Sequence, residues 1–304
     1  GLKGSVHLDL PAGWTATPAA QPFAASAAGE RVRLAFELAA PAVPTPGVVR
    51  AVADLGGQHY SHQRQEIRYA HLPLQLLQPP ARARLASFDL RIKGKTVGYL
   101  PGAGDYVAEC LAQMGYSVRP LVDADLTPEK LAGLDAVVIG VRAFNERPDF
   151  AAAFPGLLRW VEQGGTVVAQ YNRPNGLLNT VLGPYPLSIQ GPAPQLRVTD
   201  ETAPVAFLAP DHPALIVPNV VRPEDFTGWV QERGAYFPSS WDEAHYTPLL
   251  AMSDPGEAPL KSSVLVANYG KGRYVYTGLA FFRQLPAGVP SAWRLFANLV
   301  SLGK

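Results

Sequence analysis

The run Ala136-Val-Val-Ile-Gly-Val141 decides the fold of the larger part of this chain, because it contains no polar side chain. A strand that is apolar on both faces lies inside a parallel sheet that helices cover on both sides. Similar short runs occur at residues 95–100, 117–122 and 166–170. Helical patterns separate them, so the sequence predicts a doubly wound α/β sheet.

The segments between these runs have helical spacing. Over residues 106–114 the apolar positions recur on one helical face, and residues 155–162 form a second helix before Gly164-Gly165. Residues 262–268 and 273–279 are predicted to form a hairpin, since Gly270-Lys-Gly272 lies between them. A closing helix is predicted at 291–302.

The first ninety residues alternate with a period of two instead, which is typical of half-buried strands. Turn residues such as Pro11-Ala-Gly13 separate the alternating segments. Strands are predicted at residues 6–10, 32–38, 48–55 and 58–69. Such spacing without a helical period favours a small antiparallel sandwich. We therefore predict two domains, an all-β domain over 1–92 and an α/β domain over 93–304.

Charge and composition exclude several classes of partner. Lys and Arg number 26 against 25 for Asp and Glu, which argues against a nucleic-acid partner. The apolar runs are far shorter than the roughly 20 residues of a membrane-spanning helix. A single cysteine, Cys110, excludes an intramolecular disulfide but leaves the compartment open. Because the chain opens at Gly1 without a methionine or a signal-like segment, we expect it to be part of a longer protein.

Two short motifs bear on cofactor and metal chemistry. Gly102-Ala-Gly104 follows the first strand, but Val107 stands where a dinucleotide fingerprint has its third glycine, so a tight turn is favoured. His59 and His62 lie three residues apart on a strand and therefore point to opposite faces. We expect neither a cofactor nor a bound metal.

Several strings resemble known families. The order of elements, and Gly-Lys-Gly-Arg-Tyr-Val-Tyr-Thr-Gly at 270–278, are similar to the class I glutamine amidotransferase-like superfamily and its ThuA-like branch. Other strings resemble the region downstream of the catalytic domain in long bacterial PIG-L/LmbE-type de-N-acetylases. Among them are Gly140-Val-Arg-Ala-Phe-Asn145, Gln170-Tyr-Asn172, Gly183-Pro-Tyr-Pro186 and Phe281-Phe-Arg-Gln-Leu-Pro-Ala-Gly-Val-Pro290.

The N-terminal segment looks like the Ig-like domain associated with some galactosidases. Together these resemblances cover nearly the whole chain. They imply an Ig-like β-sandwich, a flavodoxin-like doubly wound domain, and an upstream zinc-dependent de-N-acetylase domain in the parent protein. They also favour an extracytoplasmic location, periplasmic or secreted, because such enzymes are often exported.

The catalytic motifs of these families are absent. The His-Pro-Asp-Asp zinc motif of the de-N-acetylases does not occur, so that activity cannot reside in these residues. The amidotransferase cysteine stands at a strand-to-helix turn, which here reads Ala169-Gln-Tyr-Asn-Arg173. Tyr171 has an ordinary pKa of about 10 and is a poor nucleophile. Cys110 lies on an apolar helical face. We predict that this segment is non-catalytic.

Ligands of open α/β sheets gather at the carboxyl ends of the strands, which predicts one polar crevice. Its predicted ligand-binding residues are Asp105, Arg142, Asn145, Gln170, Asn172, Arg197, His212 and Arg283. The later loops also offer Glu201, Asp225, Trp229, Glu232 and Trp241, which suit sugar hydroxyls and sugar faces. In the competing interpretation, Arg142, Arg197, Glu201, Glu232 and Arg283 form buried ion pairs that order the loops.

Two functions remain open. The preferred one is a non-catalytic accessory region that recognises a carbohydrate, either a glycan or an amino sugar. The alternative is a ThuA-like glycan hydrolase in which Asp211, Glu201 or Glu232 performs acid–base chemistry with His212.

Overall fold

The computed structural model describes residues 1–304 except for the side chains of 193 and 194. The chain divides into two compact units, Gly1–Asp89 and Leu90–Lys304. The N-terminal unit is all β. Its strands are β1 (Leu2–Asp9), β2 (Thr15–Thr17), β3 (Ala20–Ala25), β4 (Glu37–Ala39), β5 (Gly47–Leu55), β6 (Gln58–Tyr60), β7 (Gln65–Ile67), β8 (Gln75–Leu77) and β9 (Arg82–Leu85).

The main sheet of this unit is antiparallel. β1 lies between β3 and β5, and β5 also pairs with β6 and β9. β2 pairs with β4, and β7 pairs with β8. Val52 is the buried hydrophobic residue of this unit among the described side chains. The unit therefore has a thin core.

The strand predicted over 32–38 is wrong, because only its last two residues belong to a strand, β4. Alternation fixes which side chains share a face, but a strand also needs a free neighbouring edge. β3 has a free outer edge, but residues 31–36 form no ladder with it, and the Gln21 side-chain amide of β3 donates to the Ala35 carbonyl. The long strand predicted over 58–69 is likewise divided into β6 and β7.

The C-terminal unit contains all the α-helices that the structure describes. They are α1 (Val107–Gln113), α2 (Pro128–Leu131), α3 (Ala143–Glu146), α4 (Phe150–Glu162), α5 (Pro213–Ile216), α6 (Phe281–Gln284) and α7 (Pro290–Ser301). Short 3-10 helices lie at Asp123–Asp125, Ala193–Leu196 and Pro223–Phe226. None of the described helices has both the length and the apolar character needed to cross a membrane.

A seven-stranded mixed sheet runs through this unit. The strands of the unit are β10 (Thr96–Leu100), β11 (Ser117–Pro120), β12 (Ala136–Ile139), β13 (Thr166–Gln170), β14 (Leu187–Ser188), β15 (Ala206–Phe207), β16 (Ser240–Trp241), β17 (Tyr246–Pro248), β18 (Leu250–Ala251), β19 (Val264–Tyr269) and β20 (Gly272–Thr277). Seven of them form the mixed sheet, while β14 pairs with β16 and β15 pairs with β18. The spatial order is β11-β10-β12-β13-β20-β19-β17. The first five are parallel, in the order typical of a flavodoxin-like sheet. β19 runs antiparallel to β20, and β17 runs antiparallel to β19. The predicted α/β sheet is confirmed.

Helices cover both faces of the sheet. Val137, Ile139 and Val167 belong to one core cluster together with Phe154 and Leu157 of α4. The alternate residues of β12 and β13 point to the other face, and α7 contacts both of these strands. This two-sided burial explains why the strands are apolar runs without alternation.

Helix α4 begins at Phe150, five residues before the predicted start, and contains Pro155. A proline inside a helix costs roughly 3 kcal/mol. Here the early turns carry Phe150 and Phe154, whose rings pack edge to face on Phe144 at centroid distances of 4.8 and 5.4 Å. Burial of these aromatic rings offsets the cost of the proline, and local propensity alone could not predict this.

Asp135 anchors the start of β10, and its replacement should have a pH-dependent effect. Its carboxylate accepts the N–H groups of Lys95 (2.6 Å) and Thr96 (2.9 Å) and lies 2.8 Å from the Lys304 ammonium. Burial alone would raise the pKa of Asp135, but these three interactions lower it to about 2. The stabilisation is complete above the unfolded value of about 3.9 and is lost as the pH falls through about 2.

We therefore expect Asp135→Asn to lower the free energy of unfolding by about 1–2 kcal/mol at pH 7, an estimate reduced for solvent screening. The difference from the parent chain should shrink toward zero near pH 2. Urea unfolding at both pH values measures it, with the exposed Asp149→Asn as control. An equal loss at both pH values would contradict this explanation.

Candidate functional site

Two turns meet at the carboxyl ends of β10 and β12. The Ala103 N–H donates to the Val141 carbonyl over 2.8 Å. A Cβ atom on Gly102 would overlap that same carbonyl oxygen. The first glycine of Gly102-Ala-Gly104 is thus needed for close approach between two turns, which supports the tight-turn interpretation over a phosphate site.

Asp105 ties these turns together. Its Oδ1 accepts the Tyr99 hydroxyl and the Val107 N–H (2.9 Å), and its Oδ2 accepts the Val141 N–H (3.2 Å). Three donors therefore share this carboxylate. Asp105 both lines the crevice and fixes its base.

Tyr171 occupies the turn after β13. Its ring stacks on Tyr236 at 5.9 Å and packs on Phe282 at 5.2 Å. Burial raises the pKa of Tyr171, so its hydroxyl stays protonated at neutral pH. A neutral phenol held between two rings is suited to packing and hydrogen-bond donation and not to nucleophilic attack.

Backbone strain is concentrated around this tyrosine. The non-glycine residues described with positive φ are Arg142 (60°), Gln231 (67°) and Tyr236 (53°). The Arg142 N–H donates to the Tyr171 carbonyl over 2.8 Å, and Tyr236 stacks on its ring. Such conformations cost of order 1–3 kcal/mol each and cluster at functional sites. This clustering marks the Tyr171 turn as the candidate site.

A cavity of about 410 Å³ opens beside it. We call it the Tyr106 crevice, after its most exposed aromatic residue, Tyr106, which is 64% exposed. The lining residues are Gly104, Asp105, Tyr106, Val230, Gln231, Phe282, Arg283, Pro286 and Ala287.

One wall of the Tyr106 crevice is a polar network centred on Arg283. The Arg283 Nε lies 2.8 Å from a Glu232 carboxylate oxygen, and its Nη1 donates to the Gln231 amide oxygen. The guanidinium also lies over the Phe282 ring, 4.9 Å from its centroid. Aromatic faces and hydrogen-bonding groups thus line one concave surface.

Asn145 and Asn172 are positioned as braces. The Asn145 amide accepts the Arg173 N–H (2.9 Å) and donates to the carbonyls of Arg173 and Asn175. Asn172 is 0% exposed, and its side chain accepts the Phe144 N–H (3.1 Å). These groups hold the turn after β13 in place, and their hydrogen-bonding capacity is largely used by the backbone.

Gln170 and Arg142 each carry a buried polar atom without a protein partner. Gln170 is 1% exposed; its amide nitrogen donates to the Ile139 carbonyl (3.3 Å), but its Oε1 is unpaired. Arg142 forms an ion pair with Glu146, whereas its buried Nε has no partner. Both residues flank Tyr171.

His212 lies apart from this cluster. His212 caps α5 by accepting the Ala214 N–H at 3.1 Å, and burial together with nearby Arg273 lowers the pKa of His212. Arg273 is near the amino end of β20, whereas the crevice is at the carboxyl ends of the sheet. The positive charge of Arg197 helps to lower the pKa of Asp254. The sequence alone could not show at which edge of the sheet His212 lies.

This placement also bears on the acid–base alternative. Glu232 lies close to Tyr171, and its carboxylate is bound by Arg283. His212, its suggested partner, is near the opposite edge of the sheet. Arg142 pairs with Glu146 and Arg283 pairs with Glu232, but both pairs are partly exposed, whereas the ion-pair interpretation expected buried ones. The described side chains contain no pair between Arg197 and Glu201.

The other candidates for chemistry are buried or scattered. Cys110 is 4% exposed, and burial raises the pKa of its thiol to about 12, so its predicted burial is confirmed. Trp229 is also buried and donates to the Ser291 hydroxyl (3.1 Å). Among the described residues, no three His, Cys, Asp or Glu side chains are grouped to hold a metal.

Sequence reasoning missed Tyr106, Gln231 and Phe282 as lining residues. The helical pattern places Tyr106 only at a helix start, and no periodicity distinguishes an exposed aromatic residue from a buried one. The string at 281–290, which contains Phe282, was quoted for its resemblance and carries no sign of a ligand. The left-handed backbone of Gln231 has no sequence signature, since glycine or asparagine usually occupies that conformation.

Neither a family model nor a curated protein matches this chain. Solved structures are similar to it at low identity. A cytoplasmic protein from Salmonella typhimurium is 12% identical, with a TM-score of 0.46 over 79% of this chain and 94% of that one. A candidate GMP synthase component from Thermoplasma acidophilum is 8% identical, with a TM-score of 0.43 over 70% and 96%. A candidate ThuA-like protein from Bacteroides uniformis is 15% identical, with a TM-score of 0.39 over 69% and 94%.

Proposed function

We propose that the C-terminal unit binds a saccharide in the Tyr106 crevice without changing it chemically. The observation that carries this proposal is the lining of one cavity by exposed Tyr106, by Phe282, and by Gln231 and Arg283, whose guanidinium is held by Glu232 behind the wall. Sugar rings pack their apolar faces on aromatic side chains, while their hydroxyls exchange hydrogen bonds with amides, guanidiniums and carboxylates.

The absence of a nucleophile supports binding over catalysis. The turn after β13 carries Tyr171, whose burial between two rings and raised pKa oppose attack on a substrate. Cys110 is buried in the core and has a strongly raised pKa. His212 is near the opposite sheet edge from the carboxylate of Glu232, so an acid–base pair between them has no geometric support.

We further propose that the chain is an accessory region of a PIG-L/LmbE-like sugar de-N-acetylase and that residues 1–89 form an Ig-like sandwich. The support is the set of quoted strings and, for the N-terminal unit, its antiparallel ladders. In this arrangement the upstream domain performs the chemistry and the crevice holds part of the glycan. A His-Pro-Asp-Asp motif upstream in the same reading frame is the expected sign of that domain.

Replacing Tyr106 should separate binding from folding. Because the ring is 64% exposed, Tyr106→Ala should change the free energy of unfolding by less than about 0.5 kcal/mol. The loss of a stacking face should weaken saccharide binding by about tenfold or more. A glycan array first identifies oligosaccharides that bind the parent chain. Calorimetric titration with these oligosaccharides then compares the affinity of Tyr106→Ala with that of the parent.

Tyr60→Ala is the matched control, because Tyr60 is 57% exposed and belongs to the N-terminal unit. It should bind as the parent chain does. Equal binding by the parent and Tyr106→Ala would exclude the Tyr106 crevice as the site. Release of ammonia from glutamine, or of reducing sugar from a bound glycan, would contradict a non-catalytic role.

A further inference from the structure

One dipeptide in the loop after β13, Asn175-Gly176, is suited to react with itself. It is the only place in the chain where a glycine follows an asparagine. Asn175 is exposed, and its side-chain amide forms no hydrogen bond with any residue that the structure describes. Its backbone carbonyl accepts the Asn145 amide at 3.2 Å. The backbone of Asn175 is therefore held, while its side chain is left to solvent.

Gly176 places an accessible nitrogen beside this amide. Its N–H donates to no oxygen among the described residues. Its φ of 77° lies in the left-handed region, which glycine adopts without strain. Apart from its two chain neighbours, no heavy atom lies within 4 Å of the position that a Cβ atom would take. The side from which a Cβ atom would shield the Gly176 nitrogen is therefore open.

The fold protects the other asparagines. Four are buried, at 7% exposure or less: Asn172, Asn179, Asn219 and Asn298. The Asn145 side chain is fixed by three hydrogen bonds. Asn268 is exposed, but pairing with β20 fixes its backbone, and the bulky Tyr269 follows it. Among the asparagines, only Asn175 combines exposure, an unbonded side chain and an unshielded neighbouring nitrogen.

We infer that Asn175 is a site of spontaneous deamidation, at which the protein modifies its own backbone. The Gly176 nitrogen attacks Cγ of Asn175 and forms a cyclic imide, an intramolecular step between adjacent residues. The side-chain amide nitrogen leaves as ammonia and takes the proton of the Gly176 N–H. Water then adds to either imide carbonyl and reopens the ring, which yields aspartate or isoaspartate. One water is consumed and one ammonia is released, without oxidation or reduction.

The modification changes a second cavity of the C-terminal unit. Asn175 and Gly176 line a space of about 440 Å³ together with Thr180 and Ser188, and none of its lining residues is charged. Either product adds a carboxylate to this wall. In the isoaspartate form the chain continues through the former side chain, so the carbonyl that Asn145 holds becomes that carboxylate. The inference is independent of saccharide binding in the Tyr106 crevice, because neither Asn175 nor Gly176 lines that crevice.

Incubation of the whole folded chain in mildly alkaline buffer tests the inference. The attack requires loss of the Gly176 N–H proton, so conversion should be faster there than at mildly acidic pH. Peptide mapping by mass spectrometry should find the mass gain of an amide-to-acid change at Asn175 and none at Asn268 in the same sample. Fragmentation assigns the position, because Asn172 and Asn179 lie nearby in the sequence. Enzymatic methylation of the new carboxylate detects the isoaspartate form.

Two variants separate this reaction from other damage. Asn175→Gln should lose the modification, since the longer side chain closes the ring far more slowly. Gly176→Ala should slow it, because a methyl group shields the nitrogen. Circular dichroism verifies that Asn175→Gln, which keeps an exposed amide, is folded.

Two results would overturn the inference. The first is an intact Asn175 in the folded chain, whether or not the urea-unfolded chain is modified. The second is equal modification of Asn175 and Asn268, because the fold would then not select the site. Either result leaves the proposed function unaffected.

Discussion

Replacing Arg233 with alanine is expected to lower the free energy of unfolding by about 3–5 kcal/mol. Arg233 is 3% exposed, and its guanidinium donates to the carbonyls of Ala203 (2.8 and 3.1 Å) and Phe226. It also lies 5.7 Å from the ring centroids of Phe226 and Trp229. Alanine would leave a cavity and unpair these carbonyls.

Arg233 remains charged despite its burial. Burial lowers its pKa to about 10, which is still well above neutral pH. Chemical denaturation measures the free energy of unfolding of Arg233→Ala. Arg222→Ala is the control, because Arg222 is an exposed arginine of the same unit. A loss below about 1 kcal/mol in Arg233→Ala would mean that the surrounding loops relax around the cavity and that this arginine does not order them.

The second large effect is expected at Asn172, where alanine should cost about 2–4 kcal/mol. Its amide connects the turn after β13 to the Phe144 N–H (3.1 Å), the Gln170 carbonyl (3.0 Å) and the Tyr276 hydroxyl. Since Asn172 is fully buried, the variant would leave an unpaired N–H and an unpaired carbonyl inside the protein.

Asn175→Ala provides the control in the same turn, because its side chain is exposed and only its backbone carbonyl is used by Asn145. Its free energy of unfolding should stay within about 0.5 kcal/mol of the parent value. If Asn172→Ala were as stable as the parent but lost saccharide binding, Asn172 would contact the ligand directly. Thermal and urea unfolding, measured together with calorimetry, separate these outcomes.

The sheet could be predicted from sequence because its signal is local. An apolar run such as 136–141 needs burial on both faces, and that requirement alone implies covering helices. The start of α4 could not be predicted in this way, since the rings that offset Pro155 include Phe144, which lies outside that helix. In the N-terminal unit, alternation over 32–38 was misleading because it shows which side chains share a face and not whether the backbone pairs with another strand.

The sequence predicts which side chains follow the strand ends, but only part of the lining of the Tyr106 crevice. Asp105, Arg142 and Gln170 follow the ends of strands, and the parallel topology brings them to one edge. The residues that give the crevice its chemistry come from loop 230–236 and from the short helix α6 with the turn that follows it, 281–287, and neither segment is long enough to show a period. Whether a polar side chain faces a ligand or braces a loop depends on its hydrogen-bond partners, as Asn172 and Arg283 demonstrate, and these partners are set by tertiary contacts.

The two outermost strands of the seven-stranded sheet, β11 and β17, both end in proline, Pro120 and Pro248. Proline has no N–H group, so each outer edge lacks a donor that an incoming strand would require. Exposed strand edges are the usual starting points of aggregation, and natural sheets protect them with such residues. Growth of this sheet by addition of a strand from another molecule is thereby opposed at both ends, which guards the protein against aggregation at high concentration.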